Sequence, residues 1–481
     1  MSIYILLETA RFAILALAGA ALVTNLLVCF AIQILHLFTI LRPARILRLK
    51  RQNAVASSPF VSVHVPTYNE PAEIVIATLH ALANLDYPHF EVLVLDNNTA
   101  DPAVYEPVQR ICASLGERFH FHHFDNVAGA KAGALNLGLE LSHPEAEYVA
   151  IIDADYQVTP DFLALAARNL ADPQTAFVQF PQAYRGVVGK SAAVEEELSD
   201  YFKAFALRAS DDRSVLLTGT LSVINIDVLK SAGGWNGETV TEDAELGVRL
   251  FLHGKVGKFV PAIVGRGLLP LSLASLTAQR RRWVAGNVQT LITTFTGLCH
   301  RRWNTASLSI IAQLTAWPAF WLVPAICLLG AAPVADASPA MPALLELAAA
   351  TIVVSAAGVA LRLLINAVLQ KQGLNRIPEA LVVKLALVWT SSTAFLPALM
   401  RQRILFVRTP KQGDAPSAGS AYPELILGVA GVATMIFYAQ IGALLPALAC
   451  ALIIATIPAG WWVDQCLNEY AAAIAPVSKR T

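Results

Sequence analysis

Charge is scarce in this chain. Asp, Glu, Lys and Arg make up 15% of its 481 residues, and 35 basic side chains are matched by 35 acidic ones. Without a basic excess the electrostatic footprint of a nucleic-acid binder is missing, so no nucleic-acid partner is expected. Cysteine is thin as well. Its six copies (Cys29, Cys112, Cys299, Cys327, Cys450 and Cys466) are scattered with no Cys-x-x-Cys pair, which argues against a disulfide framework or a zinc site and reads as reduced thiols. No internal repeat is visible, and biased sequence is confined to an Ala/Pro-rich loop at 331–343 and to Gly413–Ser420. A cleavable leader is lacking too: the apolar stretch from Arg11 to Phe38 is about twice the length of a signal core and has no small-residue cleavage site.

Apolar residues, in contrast, supply 56% of the chain, more than a soluble protein of ordinary composition carries, so lipid must solvate part of it. The first stretch, 1–41, reads as a retained anchor. Arg42, Arg45, Arg48, Lys50 and Arg51 follow it, and the positive-inside rule places that cluster in the cytoplasm and the N-terminus outside. After Trp303, apolar runs at 307–331, 344–369, 421–445 and 447–463 are each long enough to cross a hydrocarbon core of about 30 Å. A fifth run, 379–400, would put Arg401, Arg403, Arg408 and Lys411 outside if it crossed. It is therefore read as an interfacial helix. The resulting layout is interfacial helices at 271–305, a transmembrane hairpin at 306–370, an interfacial helix and loop at 371–420, a second hairpin at 421–465 and a cytoplasmic tail at 466–481, with no further domain expected after it.

Between Pro59 and Leu269 the apolar runs are short and punctuated by Pro, Gly, Asn and Asp, the mark of a water-soluble domain, here bounded at 42–270. Runs at 61–65, 90–95, 119–122 and 148–152 are rich in β-branched and aromatic residues, with helical segments near 71–84, 102–115 and 129–141 between them. Such alternation predicts an α/β fold with a largely parallel sheet.

Ligands of open α/β sheets bind beyond the carboxyl ends of the strands. Acidic residues stand at three such ends: Val65-Pro-Thr-Tyr-Asn-Glu70, Leu95-Asp-Asn-Asn-Thr99 and Ile152-Asp-Ala-Asp155. One strand-end Asp is ordinarily a turn former; three in succession point to a site. Asp153 and Asp155 offer hard oxygen ligands suited to Mg2+ or Mn2+ bridging to phosphates. Thr241-Glu-Asp243 opens an amphipathic helix, where an acidic N-cap is the plain reading. Gln279-Arg-Arg-Arg-Trp283 reads either as a juxtamembrane cluster with an interfacial Trp or as guanidinium for a diphosphate and indole for a sugar face. His120, His122 and His123 alternate along a strand, and no metal role is read into them.

In this order and spacing, Asp96, Asp153-Ala-Asp155, Thr241-Glu-Asp243 and Gln279-x-x-Arg282-Trp283 resemble the processive family-2 glycosyltransferases typified by bacterial cellulose synthase. The resemblance runs from about Phe60 to Lys411 and takes in Lys131-Ala-Gly-Ala-Leu-Asn136, Phe177-Val-Gln-Phe-Pro-Gln182 and Gly219-Thr220. It implies a GT-A domain, a Rossmann-like mixed sheet inserted between α-helical transmembrane segments, at the bacterial inner membrane with the catalytic domain cytoplasmic. It implies Asp243 as general base, with Thr67, Asn69, Glu70, Asp96, Lys131, Asp153, Asp155, Arg282, Thr409 and Lys411 around the nucleotide sugar. Asp96 would face uridine, Asp153 and Asp155 would hold Mg2+ or Mn2+, and Phe406–Lys411 would close over the nucleotide. Gln179, Gly219, Thr220, Glu242, Gln279 and Trp283 would line the acceptor side.

The implied activity is inverting, processive transfer of hexose, first of all glucose from UDP-glucose, to a growing β-glucan coupled to export through the protein's own channel, with a periplasmic export partner left open. Asn97-Asn98-Thr99 departs from cellulose synthases and is more similar to bacterial β-1,3 and mixed-linkage glucan synthases. A mannan or N-acetylhexosamine polymer synthase, a polyprenyl-phosphate glycosyltransferase and an inactive export scaffold stay as alternatives. Asn25, Gln33, Gln313, Arg362 and Asn366 lie in apolar runs, with Trp317 and Trp321 a helical turn apart. They read either as channel lining or as helix–helix bonds and interfacial anchors.

Overall fold

A computed structural model describes residues 2–42, 58–300, 304–331, 339–371, 373–402, 404 and 422–474. Its elements are α1 (Ser2–Leu41), β1 (Phe60–Thr67), α2 (Ala72–Ala83), β2 (Phe90–Asn97), α3 (Pro102–Ser114), β3 (Phe119–Phe124), α4 (Ala130–Leu141), β4 (Ala146–Ile151), β5 (Gln157–Val158), α5 (Phe162–Leu170) and β6 (Thr175–Gln179). They continue with α6 (Ala192–Tyr201), α7 (Leu207–Asp211), β7 (Ser222–Asn225), α8 (Ile226–Ser231), α9 (Glu242–Leu252), β8 (Val256–Phe259), β9 (Gly265–Arg266) and α10 (Leu273–His300). The remaining helices are α11 (Thr305–Leu314), α12 (Leu322–Ala331), α13 (Met341–Leu369), α14 (Ile377–Ala386), α15 (Val388–Thr393), α16 (Leu396–Leu399), α17 (Tyr422–Gln440) and α18 (Leu444–Ile474).

In their described parts the elements gather into two compact units. One comprises Arg42–Ala316, Leu396–Ala415 and Leu467–Thr481, the other Met1–Leu41, Trp317–Phe395 and Pro416–Cys466. The first holds a seven-stranded sheet of order β3-β2-β1-β4-β7-β6-β8, with β7 antiparallel to both its neighbours and the other pairs parallel. Strands β1 and β2 are buried along nearly their whole length, as expected of sheet covered on both faces, and their Val and Leu runs supply that continuous apolar surface. The core gathers Val61, Val63, Val65, Val92 and Val94 with Leu79 of α2, Phe162 of α5 and Phe180. Strands and helices thus lie where the sequence predicts them, and the mixed, parallel-dominated sheet is the expected one.

The apolar half differs from expectation at two places. The run 307–331 is not one helix. It breaks at 315–321, around Pro318, whose ring cannot continue a helix, and α11 belongs to the α/β unit. There Ile310 and Leu314 pack on Leu216, Val248 and Phe251. Gln313, which the sequence leaves open between channel lining and helix–helix bonding, is fully buried and bonds Ser214 O at 2.8 Å, Leu216 N at 3.2 Å and Tyr201 OH at 3.3 Å. Trp317 and Trp321 are likewise not a helical turn apart, since both precede α12 outside regular structure. The Trp321 indole N–H donates to Ser355 Oγ at 3.1 Å, and its ring meets Trp389 edge-on. Run 379–400 forms helices bent by 50° between Leu374–Ala386 and Val388–Leu399.

Among the described residues three helices are long and apolar enough to cross a membrane, namely Glu8–Leu41, Met341–Leu369 and Leu444–Ile474, or four if the bent pair is one span. Within that unit α1 packs along α13, where Gly358 leaves room for the Gln33 side chain; a Cβ there would meet Gln33 Oε1 at 2.6 Å. Arg362 and Asn366 of α13 are buried.

Candidate active site

The ends of β1, β2 and β4 open onto a cavity of about 360 Å3. Its approach is shaped by two left-handed asparagines, Asn69 at φ 50° and Asn98 at φ 58°, a conformation that Asn tolerates better than most residues. Asn98 is fixed twice, its Nδ2 donating to Val127 O at 3.0 Å and its Oδ1 accepting from Val127 N at 2.8 Å.

Strand register aligns Thr67, Asp96 and His123 in one row across β1, β2 and β3. Asp96 is therefore buried and occupied: one oxygen accepts from Thr67 Oγ1 at 3.0 Å and Thr99 Oγ1 at 2.7 Å, the other meets His123 Nδ1 at 2.7 Å. It sits behind the cavity wall, whereas Thr67 and Glu70 line it. Thr99 in turn accepts from Asn69 N at 2.8 Å. His123 is thus a hydrogen-bond partner of Asp96, and its ring stacks on Tyr105 with centroids 4.2 Å apart.

Asp153 and Asp155 both reach the cavity. The Asp153 backbone N–H donates to Thr220 Oγ1 at 3.0 Å, and its carboxylate accepts from Lys131 Nζ at 2.5 Å. Lys131 also donates to Gly219 O at 2.7 Å. Burial works to lower the Lys131 pKa, but the carboxylates of Asp153, Glu242 and Asp243 outweigh it and the net shift is upward, so the ammonium stays charged. Asp155 accepts from Leu268 N at 2.9 Å through its side chain and from Arg185 Nη1 at 2.7 Å through its carbonyl. Two carboxylates two residues apart, with no cluster of three or more His, Cys, Asp or Glu among the described residues, fit the way Mg2+ and Mn2+ bind, through one or two carboxylates completed by substrate phosphates.

Asp243 enters from the first turn of α9, its Oδ1 accepting from Ala244 N at 2.8 Å. Burial first, then the neighbouring Glu242, pushes its carboxyl up to about 7, against the pull of Lys131, the Ala244 N–H and Arg282. Gly219 makes room for it. At φ 81° a side chain would be strained, and a Cβ would lie 2.8 Å from Asp243 Oδ2. Gly286 of α10 serves the same motif from behind, since a Cβ there would meet Thr241 Oγ1 at 2.4 Å.

Helical spacing on α10 puts Gln279, Arg282 and Trp283 on one face, and all three line the cavity. The three arginines separate. Arg280 turns inward to a buried ion pair with Glu197 at 2.6 Å, Arg281 is exposed, and Arg282 meets the cavity.

Of the acceptor-side candidates, Gly219, Glu242, Gln279 and Trp283 line the cavity, while Gln179 and Thr220 are fully buried behind it. Gln179 takes Thr218 N at 3.0 Å and gives to Thr220 O at 2.8 Å, so it shapes the 218–221 turn from within. Thr409 and Lys411, with the rest of 406–411, lie outside the described residues. Sequence reasoning passed over Tyr68, Gln182, Tyr184 and Leu268–Leu271, which also line the cavity. Gln182 belongs to a motif already singled out; the 268–271 turn carries no chemical signal.

Residues 62–232 match the family described as Glycosyl transferase family 2, and residues 148–357 match Glycosyl transferase family group 2. Glucomannan 4-beta-mannosyltransferase 7 of Arabidopsis thaliana is 34% identical over 241 residues, 48% of this chain and 43% of that protein. Probable glucomannan 4-beta-mannosyltransferase 9 of Oryza sativa subsp. japonica is 33% identical over 246 residues, 49% of this chain and 46% of that one. The match thus spans less than half the length of these curated relatives. Among solved structures, the mannosyltransferase PcManGT from Pyrobaculum calidifontis in complex with GDP-Man and Mn2+ aligns with a TM-score of 0.48 at 20% identity, over 80% of this chain and 98% of that one.

Proposed function

We propose that this chain, a family-2 glycosyltransferase with a GT-A catalytic domain, transfers hexose with inversion from a nucleoside diphosphate sugar onto a growing β-linked polysaccharide. The observation that carries the reading is the convergence of Asp153, Asp155, Asp243, Arg282 and Trp283 on one cavity from three separate chain segments. A mannosyl donor comes first, supported by relatives named 4-beta-mannosyltransferases. A glucosyl donor is the second reading, supported by the Asn97-Asn98-Thr99 turn.

Asp243 is the general base. With its pKa near 7 it is a stronger base than an ordinary carboxylate and still largely ionised slightly above neutral pH. It takes the proton of the acceptor hydroxyl as that oxygen attacks the anomeric carbon. The diphosphate leaves from the opposite face, with Arg282 offering bidentate hydrogen bonds to it. A single in-line displacement turns an α-linked donor into a β-linked product. Asp153 and Asp155 would hold Mg2+ or Mn2+, which supplies Lewis-acid neutralisation of the departing diphosphate. Trp283 offers an apolar face on which the terminal acceptor sugar rests. The apolar helices anchor the domain in a membrane, and the basic run 42–51 supports a cytoplasmic face for the catalytic domain. Repeated transfer and export of the product complete the proposal.

Purified protein in detergent with Mn2+ or Mg2+, given radiolabelled GDP-mannose, UDP-glucose or UDP-N-acetylglucosamine, is expected to form ethanol-insoluble polymer from GDP-mannose first, and none with Asp243→Asn. Polymer from UDP-glucose alone would move the assignment to a glucan synthase. Absence of polymer from every donor by folded protein would remove the processive reading.

A further inference from the structure

The last two turns of α18 belong to the α/β unit, and they end on an unexpected group for an apolar helix. Tyr470 is 1% exposed. Its hydroxyl donates to Arg185 O at 2.9 Å and accepts from Leu269 N at 3.2 Å. A buried hydroxyl must find such partners; here they sit on two different loops, and both loops hold Asp155. The Arg185 guanidinium donates to the Asp155 carbonyl at 2.7 Å, and Leu268 N donates to the Asp155 carboxylate at 2.9 Å. The two loops also pair directly, Arg185 N donating to Gly267 O at 2.9 Å and Gly267 N to Ala183 O at 2.9 Å. Close approach is required on the helix side as well. Gly186 adopts φ 69°, and a Cβ there would lie 2.7 Å from Ile474 Cγ2.

We propose that Tyr470 is a positioning residue for the Asp155 carboxylate: its hydroxyl clamps the 183–186 and 267–269 segments together and thereby sets the affinity for a divalent cation held with a diphosphate. The inference rests on the reading of Asp155 as a ligand of that cation. Tyr470 itself does not line the cavity, so it acts through the two loops. Outer-shell partners of metal ligands contribute about 10- to 100-fold in affinity, and a clamp one bond further out belongs at the lower end of that range.

The test titrates Mn2+ into full-length protein in detergent with saturating GDP, and again with UDP, following free Mn2+ by electron paramagnetic resonance. Tyr470→Phe is expected to weaken Mn2+ binding about tenfold with an unchanged KM for acceptor. Ile474→Ala, which loosens the same packing and keeps the hydroxyl, is expected to bind Mn2+ as wild type does at a comparable Tm. Asp155→Asn tests the underlying reading separately. If it loses Mn2+ while Tyr470→Phe retains wild-type affinity, the clamp is refuted and the ligand reading stands. If Asp155→Asn binds Mn2+ normally, or the wild type binds none with either nucleotide, the ligand reading and the clamp both fall. Equal weakening by Ile474→Ala and Tyr470→Phe would assign the effect to packing and refute the hydroxyl's part.

Discussion

The Lys131 ammonium bridges Asp153, at 2.5 Å, and the carbonyl of Gly219, at 2.7 Å. It joins the strand-end carboxylate to the turn that faces Asp243, and its charge acts on Asp243 as well. Removing that charge while keeping the stem, as in Lys131→Met, takes away one of the two cations that hold the Asp243 carboxyl down. The Asp243 pKa should then rise further. In a pH–rate profile the acid limb is expected to move to higher pH, with turnover at pH 7 reduced about fivefold by the first unit of displacement and at most about tenfold by each further one. An acid limb that stays in place would detach Lys131 from the base.

For the wild type, the base must be ionised, so turnover should fall below about pH 7, where Asp243 takes up its proton. Stability should run the other way. The folded carboxyl lies above an unfolded value near 3.9, so the folded state binds the extra proton between roughly pH 4 and pH 7. The stability linked to that group is full below pH 4 and lost as pH rises through about 7. Asp243→Asn is therefore expected to abolish transfer yet raise Tm at pH 8, by about 2–4 °C, with a smaller difference at pH 5. Differential scanning at the two pH values measures both. A variant less stable than wild type at pH 8 would contradict the burial that raises this pKa.

Gly219 and Gly233 separate backbone strain from site geometry. Both sit at positive φ, 81° and 83°, but a Cβ at 219 would stand 2.8 Å from Asp243 Oδ2, whereas at 233 it would meet nothing within 4 Å. Ala at either position costs about 1 kcal/mol or somewhat more. Only Gly219→Ala is expected to displace the base, reducing kcat by about 100-fold, while Gly233→Ala keeps wild-type kcat. Equal losses in both would place the effect in the backbone alone.

Several parts of this site are legible in the sequence because short-range rules place them. Strand ends put Asp153 and Asp155 just past the carboxyl end of β4, and helical spacing turns Gln279, Arg282 and Trp283 to one face. Other assignments needed tertiary contacts. Gln179 and Gln182 stand in one motif, yet strand alternation and the 218–221 turn bury the first and leave the second on the wall. Asp96 is saturated by Thr67, Thr99 and His123, a row set by the register of three strands. Gln313 sits in an apolar run that hydropathy extends through Pro318, while its hydrogen bonds tie it to Ser214 and Leu216 about a hundred residues earlier. Tyr470 has no local signal at all.

The three consecutive arginines of α10 should part company under mutation. Arg280 and Glu197 form an ion pair with side chains 3% and 0% exposed, and deleting one member removes this counter-charge from a buried ion, at a cost of about 3–5 kcal/mol. Arg280→Met is thus expected to lower Tm sharply. Replacing both partners, as in Arg280→Met with Glu197→Leu, should recover most of the loss, because an apolar pair of similar volume carries no desolvation penalty. Arg281 is exposed, and Arg281→Ala should change neither Tm nor turnover. Arg282→Ala should leave folding stability within about 0.5 kcal/mol of wild type and reduce kcat by about 100- to 1,000-fold, the range for losing a donor to developing charge. Arg282→Lys should recover only part of that, since an ammonium keeps the charge and loses the bidentate geometry. Should Arg280→Met instead lower kcat at unchanged Tm, the inward arginine would be the one that meets substrate, and the assignment of Arg282 to the diphosphate would have to be exchanged.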